Sequence, residues 1–171
     1  MKITEEYRKQ NADLHQSNKE YGTSGAKHAK TVAEIAEMIQ AEAILDYGCG
    51  KQTLAKALPQ YTVRGYDPAI PGLDIPPKPA DLVVCTDVLE HIEEECLEEV
   101  LFDLHMLTKK VLFITVATRP AKKKLPDGRN AHINLKSYRK WLSVLMKYFE
   151  LDHFTNVANQ EFMAIMTKRE K

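Results

Sequence analysis

The fold of this chain is decided by the stretch Ile44-Leu45-Asp46-Tyr47-Gly48-Cys49-Gly50. A short apolar run ends in an acidic residue, and two glycines follow with one residue between them. This pattern is typical of a buried parallel strand that enters a tight turn, where backbone without side chains can approach a ligand. The stretch therefore predicts a ligand-binding turn at the end of a central strand.

A second acidic residue ends the next apolar run, about twenty residues further along. This run covers residues 61–66 and ends at Asp67. An acidic side chain at this separation is typical of sites where it accepts hydrogen bonds from the two hydroxyls of a ribose. Together the two stretches predict that the chain binds a nucleoside cofactor.

Length and composition indicate one domain with no strong global charge. The 171 residues suit a single hydrophobic core, and 24 basic residues balance 24 acidic ones, so net charge drives binding neither to nucleic acid nor to a membrane. The three cysteines, Cys49, Cys85 and Cys96, form no CxxC pair, and the N-terminus lacks the apolar core of a signal peptide. We therefore expect reduced thiols in a cytoplasmic protein that does not bind membranes.

Strand and helix patterns alternate through most of the chain. The predicted strands cover residues 44–46, 61–67, 81–86, 111–118, 151–157 and 161–167, and the predicted helices cover residues 52–58, 93–107 and 137–148. The alternation predicts an α/β fold, with a Rossmann-like, doubly wound and mostly parallel sheet that is antiparallel at its last strand. We expect residues 1–40 to form a polar helical cap or lid, and residues 41–171 to form one compact domain.

The segment between the second and third predicted strands breaks this alternation. It is rich in proline, which is found at Pro68, Pro71, Pro76, Pro77 and Pro79. Proline disfavours both a long helix and a central strand, so we expect an extended or turn-rich loop.

The charge at the glycine turn separates two classes of cofactor. A nicotinamide dinucleotide favours G-x-G-x-x-G, and the third small position is occupied here by Thr53. Asp46 would repel a pyrophosphate, but it would stabilise a cofactor that carries an ammonium and a sulfonium group. The turn therefore favours S-adenosylmethionine, and a nicotinamide-dependent oxidoreductase is the weaker alternative.

With these residues, the chain resembles the class I S-adenosylmethionine-dependent methyltransferases, in particular small enzymes of the type 11 and quinone O-methyltransferase-like kind. The resemblance covers residues 30–168 and rests on residues 44–50 as the first motif, residues 63–67 as the second strand, and residues 80–92 as the fourth strand and following loop. It implies that the methionine side is lined by Asp46, Tyr47, Gly48, Cys49, Gly50 and Gln52, the ribose by Asp67 and Pro68, and the floor beneath the sulfonium by Asp87 and Val88.

Two departures from the family pattern concern the cofactor. Gln52 stands where the family usually has a further glycine, and its side chain could crowd the cofactor or form a hydrogen bond with it. The proline-rich segment is too short for the usual helix and third strand, so the sheet is shortened between the second and fourth strands of the family pattern. The acid that often recognises adenine belongs to that missing part, and Asp74, or the apolar side chains of Ile70 and Leu73, are the candidates left.

Polar residues that could act in catalysis follow the fourth strand of the family pattern. We predict Glu90, His91 and His132 as catalytic residues, with a histidine acting as general base. With Asp87 they could instead hold a divalent cation, and a similar Glu-x-x-Glu-His arrangement with a later histidine occurs in metal-dependent members of the family. We do not expect a metal, and we keep these four residues as its candidate ligands.

A basic stretch follows the 111–118 strand and suggests a class of acceptor. Its basic residues are Arg119, Lys122, Lys123, Lys124 and Arg129. They form either a solvated charge run on a flexible loop or a site that recruits an anionic acceptor, such as a nucleotide, a sugar phosphate or nucleic acid. No aromatic residues interleave with them, so the sequence does not indicate a stacking platform for single strands.

The sequence thus predicts a methyltransferase that transfers a methyl group from S-adenosylmethionine to oxygen or nitrogen of a small or phosphorylated acceptor. Two alternatives stay open: a catalytically inactive S-adenosylmethionine-binding protein, and a methyltransferase that acts on nucleic acid. The oligomeric state is not indicated.

Overall fold

A computed structural model describes residues 2–19 and 21–169 of the chain. Residues 1 and 20 of the predicted cap, and residues 170 and 171 of the predicted domain, lie outside the described residues. Within the described ranges, no helix is both long enough and apolar enough to cross a lipid bilayer.

One six-stranded sheet, in the order β2-β1-β3-β4-β6-β5, forms the centre of the fold. The strands are β1 (Ile44–Tyr47), β2 (Val63–Tyr66), β3 (Ala80–Thr86), β4 (Thr108–Ala117), β5 (Phe149–Val157) and β6 (Glu161–Lys168). The first four pair in parallel, whereas β6 is antiparallel to both β4 and β5. This confirms the predicted fold class, a mostly parallel sheet with antiparallel pairing at its C-terminal end.

Helices cover both faces of the sheet. The covering helices are α2 (Ala29–Met38), α3 (Thr53–Ala57), α4 (Glu94–Leu107) and α5 (Tyr138–Leu145), and they are preceded by α1 (Glu5–Ser17), which packs elsewhere. Every residue of β1 and β3 is buried, as expected for central parallel strands that are covered on both faces. On one face, α4 and α5 pack their apolar side chains around Trp141; on the other, α2 and α3 pack around Phe113.

The proline-rich segment contains neither helix nor strand, as predicted. It runs directly from β2 to β3, so β2 becomes an edge strand. Its first turns fold back on the end of β2, because the Asp67 N–H donates to the Leu73 carbonyl at 2.8 Å and the Ile70 N–H donates to the Asp67 carbonyl at 3.2 Å. The shortened connection therefore still fixes the position of Asp67.

Strand β4 begins at Thr108, three residues before the predicted start at Val111. The Thr108 hydroxyl donates to the Leu104 carbonyl at 2.7 Å, and this bond closes the last turn of α4. The backbone then passes from helix to strand without a loop, and the polar run Thr108-Lys109-Lys110 carries no apolar periodicity from which the strand could have been predicted.

Helix α1 is fastened to the rest of the domain at its N-terminal end. Both the N–H and the hydroxyl of Thr4 donate to the Glu93 carboxylate, at 2.9 and 2.7 Å. One turn further on, Tyr7 packs in a small apolar cluster with Leu125 and Ala131, which belong to the connection between β4 and α5. These contacts place α1 across the edge of the sheet where β1 to β4 end.

Candidate active site

A cavity of about 430 Å³ lies at the C-terminal ends of the parallel strands, where ligands of open α/β sheets bind. Nearly all the predicted site residues line it: Asp46, Tyr47, Gly48, Cys49, Gly50, Asp67, Pro68, Asp87, Val88, Glu90, His91 and His132. Ala69 also lines the cavity, whereas Ile70, Leu73 and Asp74 do not.

Protein backbone and side chains pack against the two glycines of the turn. Gly48 and Gly50 have positive φ angles of 78° and 47°. A Cβ atom on Gly48 would lie 2.3 Å from a Val88 methyl group, and one on Gly50 would lie 2.5 Å from the Gly22 carbonyl oxygen. The close approach of Val88 and Gly22 therefore leaves no room for a side chain at these two positions. Glycine is required here whether or not a ligand also approaches the turn.

Gln52, predicted to bind the cofactor, is not among the residues that line the cavity. Its backbone is left-handed, with φ 56° and ψ 37°. Glycine adopts this conformation without steric strain, which is consistent with the glycine usual at this position. This conformation turns the side chain towards β2, where its Cγ lies 3.5 Å from the position of a Cβ on Gly65. The side chain therefore packs on the strand and does not crowd the cavity.

Two buried carboxyl groups stand beside the glycine turn. Asp46 is only 3% exposed, and burial together with the negative charge of Asp67 raises the pKa of Asp46 to about 7. Asp67 accepts hydrogen bonds from the N–H groups of Gly50 at 3.1 Å and Ala69 at 3.0 Å, which fix its orientation. A cation in the cavity would relieve the repulsion between the two carboxylates.

The N-terminal segment supplies part of the cavity wall. Within residues 1–40, the predicted cap or lid, Tyr7, Tyr21, Gly22, Ser24 and Lys27 are among the residues that line the cavity. His28 instead meets the Phe113 ring edge-on, 5.8 Å between centroids.

Sequence reasoning missed Asn11 and His15, which also line the cavity. His15 Nε2 lies 3.8 Å from an Asp67 carboxylate oxygen, and the His15 side chain is only 11% exposed. The spacing of these residues could have indicated their common position. Tyr7, Asn11 and His15 are four residues apart and therefore share one face of α1.

Glu90, His91 and His132 converge at the end of β3, with one ligand atom from each lying within 4.8 Å of the others. His91 Nδ1 is 2.8 Å from the Ala131 carbonyl oxygen, and His132 Nδ1 is 2.6 Å from that of Arg119. A carbonyl only accepts, so each Nδ1 carries the proton and each Nε2 keeps its lone pair when the ring is neutral. Burial lowers the pKa of both histidines, that of His91 to about 4, and keeps them neutral.

The Glu90 carboxyl group is fully buried and only half satisfied. Oε1 accepts a hydrogen bond from the Ala117 N–H at 2.9 Å, while Oε2 has no partner among the described residues. Burial, reinforced by the charge of Asp87, raises the pKa of Glu90 to about 8. An unpaired buried oxygen of this kind costs free energy unless a ligand or an ion engages it.

Asp87, the fourth candidate metal ligand, lies outside this three-residue group. Its backbone has a positive φ of 55°, and its N–H donates to the Thr115 carbonyl at 3.2 Å. The Thr115 hydroxyl lies 3.4 Å from the Asp87 carboxylate and holds it towards β4. Asp87 therefore contributes charge to the cavity wall without joining the histidines.

Solved structures with the same fold are numerous. One is the 1,6-didemethyltoxoflavin-N1-methyltransferase of Burkholderia thailandensis with bound 1,6-didemethyltoxoflavin and S-adenosylhomocysteine (13% identity, 95% of this chain and 87% of that chain, TM-score 0.70). A second is the N-methyltransferase NodS of Bradyrhizobium japonicum in complex with S-adenosylhomocysteine (11% identity, 96% and 100%, TM-score 0.64). A third is the [4+2]-cyclase SpnF (14% identity, 84% and 80%, TM-score 0.62).

These likenesses establish that the chain has the class I methyltransferase fold, as the sequence resemblance predicted. No protein-family model and no curated protein sequence matches the chain. Because one fold carries several chemistries, the function has to be argued from the site.

The contact between Gly22 and Gly50 predicts a large difference between two glycine substitutions. Gly50→Ala should lower the free energy of unfolding by about 3 kcal/mol, because the new Cβ meets the backbone of Gly22 in addition to the strain of a positive φ. Gly72→Ala is the control: φ is also positive there, at 87°, but nothing lies within 4 Å. Urea unfolding should give a loss of only about 1 kcal/mol for the control, and equal losses would contradict the close approach.

The raised pKa of Asp46 predicts a stability that depends on pH in the ligand-free protein. Between pH 3.8 and about 7 the native state holds a proton that the unfolded state has lost, so the free energy of unfolding falls as pH rises. Relative to wild type, Asp46→Asn should gain up to about 1.4 kcal/mol for each pH unit in this window. Urea unfolding at pH 5, 6 and 7 measures the gain, with the exposed Asp152→Asn as control; a gain that does not change with pH would contradict the assignment.

Proposed function

We propose that the protein transfers a methyl group from S-adenosylmethionine to an oxygen or nitrogen atom of an acceptor. The observation that carries the proposal is the pair of buried carboxyl groups, Asp46 and Asp67, beside a turn of glycines at the ends of parallel strands. An anionic pyrophosphate would be repelled there, whereas a cofactor with ammonium and sulfonium groups offsets the buried negative charge. When bound, S-adenosylmethionine supplies an activated methyl group on its sulfonium.

The residues on the strand ends fit such a cofactor. Asp67, fixed by two backbone N–H groups, has lone pairs left for the ribose hydroxyls. Asp46, Tyr47, Gly48, Cys49 and Gly50 line the proposed position of the methionine part, and Pro68 lines the cavity next to Asp67, where we propose the ribose. Asp87 and Val88 form the wall between this region and the histidines.

The histidine pair is suited to receive a proton from the acceptor. Methyl transfer breaks the sulfur–carbon bond, leaves its electron pair on sulfur and forms a bond from carbon to the nucleophilic oxygen or nitrogen. The proton that the nucleophile loses goes to the Nε2 lone pair of a histidine. We assign this base to His132, because burial and the neighbouring His132 lower the pKa of His91 to about 4 and make His91 a weak base. His91 and the protonated Glu90 then position the nucleophile.

Two measurements separate this proposal from a cofactor-binding protein without catalysis. Calorimetry should give saturable binding of S-adenosylhomocysteine, weakened at least about tenfold by Asp67→Ala through loss of the ribose contacts. His132→Ala should leave that affinity unchanged but reduce release of labelled methyl groups to a fractionated cell extract by about 100-fold. The exposed His153→Ala is the matched control and should match wild type in both assays.

Preferential binding of a nicotinamide dinucleotide would contradict the cofactor assignment. Binding of S-adenosylhomocysteine without methyl transfer to any fraction would favour the inactive binding protein. Transfer only to a nucleic acid fraction would favour the second alternative, a methyltransferase that acts on nucleic acid.

A second candidate function, metal-assisted methyl transfer, is favoured by the unpaired Oε2 of Glu90. Two imidazole nitrogens and one carboxylate oxygen suit a divalent first-row transition metal. Both histidines already donate Nδ1–H to a backbone carbonyl, which is the usual way in which a metal-ligating ring is oriented. Glu90, His91 and His132 would hold the ion, which would lower the pKa of a hydroxyl on the acceptor.

Titration with Mn²⁺ and Zn²⁺ tests this candidate without an acceptor. Calorimetry should show one site per chain, with affinity reduced about 10- to 100-fold in His132→Ala and Glu90→Gln. Asp87→Asn and His153→Ala should keep the affinity of the wild type. A lack of saturable binding would leave His132 as a base without metal, and loss of binding in Asp87→Asn would contradict the three-ligand assignment.

A further inference from the structure

The basic connection between β4 and α5 is an ordered hairpin. A bridge pairs Lys124 with Asn130, and the Leu125 N–H donates to the Arg129 carbonyl at 2.8 Å. The Asn130 side chain accepts from the N–H groups of Ala121 and His132, both at 2.9 Å, and donates to the Ala121 carbonyl. The side chain of Leu125 is also buried against α1. Together these contacts fix the backbone from which the basic side chains project.

The hairpin sorts its basic side chains into two groups. Arg119, Lys122 and Lys123 line the cavity, whereas Lys124 and Arg129 do not. Arg129 forms an ion pair with Asp127, with Nη2 2.7 Å from a carboxylate oxygen, so its charge is compensated outside the cavity. The cations that face the cavity have no such partner: within the described ranges no carboxylate oxygen lies within 4 Å of Nζ of Lys122 or Lys123.

Lys123 and Arg119 belong to the same cavity wall as the proposed base. The Lys123 Nζ lies 5.7 Å from the centre of the Tyr21 ring, and the Tyr21 ring is 6.2 Å from that of His91. The ring centroids of His91 and His132 are 4.9 Å apart, and the Arg119 carbonyl accepts a hydrogen bond from Nδ1–H of His132. Tyr21 therefore links Lys123 to the histidine pair, and the Arg119 backbone holds the other member of that pair.

We propose that the acceptor is a small phosphate monoester, whose dianionic phosphate binds Lys122 and Lys123 beside Arg119. The inference rests on the proposed methyl transfer and names the class of acceptor. Several uncompensated cations on one wall suit a group with nearly two negative charges better than a single carboxylate. A phosphate held at Lys122 and Lys123 leaves the nucleophilic atom of the same molecule near His132, and this anchoring supplies the orientation that an in-line displacement needs.

The size of the acceptor follows from the shape of the site. The cavity has about 430 Å³ and is closed on one side by α1 and on another by the hairpin. This space suits a cofactor and a small acceptor rather than a continuous nucleic acid strand. In addition, Lys124 lies outside the cavity and Arg129 is paired with Asp127, so the basic side chains do not form one continuous track along the surface.

Inorganic phosphate is the probe for this site. The chain of 171 residues, saturated with S-adenosylhomocysteine, is titrated with phosphate at constant ionic strength and followed by backbone amide NMR shifts. We expect saturable shifts at residues 119, 121–123 and 131–132, with a Kd on the order of 1 mM. The double variant Lys122→Gln/Lys123→Gln should bind phosphate at least about tenfold more weakly than wild type. The Lys124→Gln variant, changed on the same hairpin but outside the cavity, should keep the phosphate Kd within about twofold.

Three results would overturn the proposal. Equal weakening by Lys124→Gln would mean general charge attraction, and equal shifts with acetate would mean that the site does not select a phosphate. Tighter binding of a single-stranded oligoribonucleotide, with shifts extending to Lys124 and Arg129, would assign the surface to nucleic acid. Thermal melts of each variant exclude unfolding as the cause.

The outcome is distinguishable from a failure of the proposed function. If S-adenosylhomocysteine does not bind, methyl transfer fails, and the same phosphate titration on the ligand-free protein still tests the anion site. If S-adenosylhomocysteine binds but phosphate causes no saturable shift at residues 119 and 121–123, only the acceptor class fails.

Discussion

The close approach of two backbone segments, at Gly22 and Gly50, is the constraint on which the rest of the site depends. The Lys51 N–H donates to the Gly22 carbonyl at 2.9 Å, so the N-terminal segment is hydrogen-bonded to the turn that follows β1. This contact brings His15 and Tyr21 over the strand ends, where they face Asp67 and His91. Without it, the acidic groups at the ends of β1 and β2 would face solvent, and the repulsion between them would be screened.

Charged groups of both signs line the resulting cavity. Its carboxyl groups include Asp46, Asp67, Asp87 and Glu161, and its cations include Lys2, Lys27, Arg119, Lys122 and Lys123. The arrangement matches a reaction between a cationic donor and an anionic acceptor, because each reactant meets the opposite charge. Burial keeps His91 and His132 neutral, so the centre of the cavity adds no charge that would repel the donor.

The sequence was sufficient for the parts of the site that short segments encode. The glycine turn, Asp67 and the Asp-Val-Leu-Glu-His-Ile segment each follow a strand whose apolar pattern is clear, so their meeting at one edge of the sheet could be predicted. The orientation of Gln52 could not, because it depends on a left-handed backbone that glutamine seldom adopts. The sequence also could not predict that Lys123 lines the cavity while Lys124 does not. This difference depends on the bridge between Lys124 and Asn130 and on contacts with α1, which is remote in sequence.

The shortened sheet explains why the N-terminal segment is so closely involved. With no helix or strand between β2 and β3, Asp67 directly follows an edge strand, and Ile70 and Leu73 of the proline-rich connection are not among the residues that line the cavity. The wall that this connection does not provide comes from α1, whose one face carries Tyr7, Asn11 and His15. Thr4 fastens that helix to Glu93 at the start of α4, and α4 follows the loop that bears His91. A displacement of α1 would therefore change the contacts of the proposed cofactor side and of the proposed acceptor side together. One helix thus couples the two halves of the site.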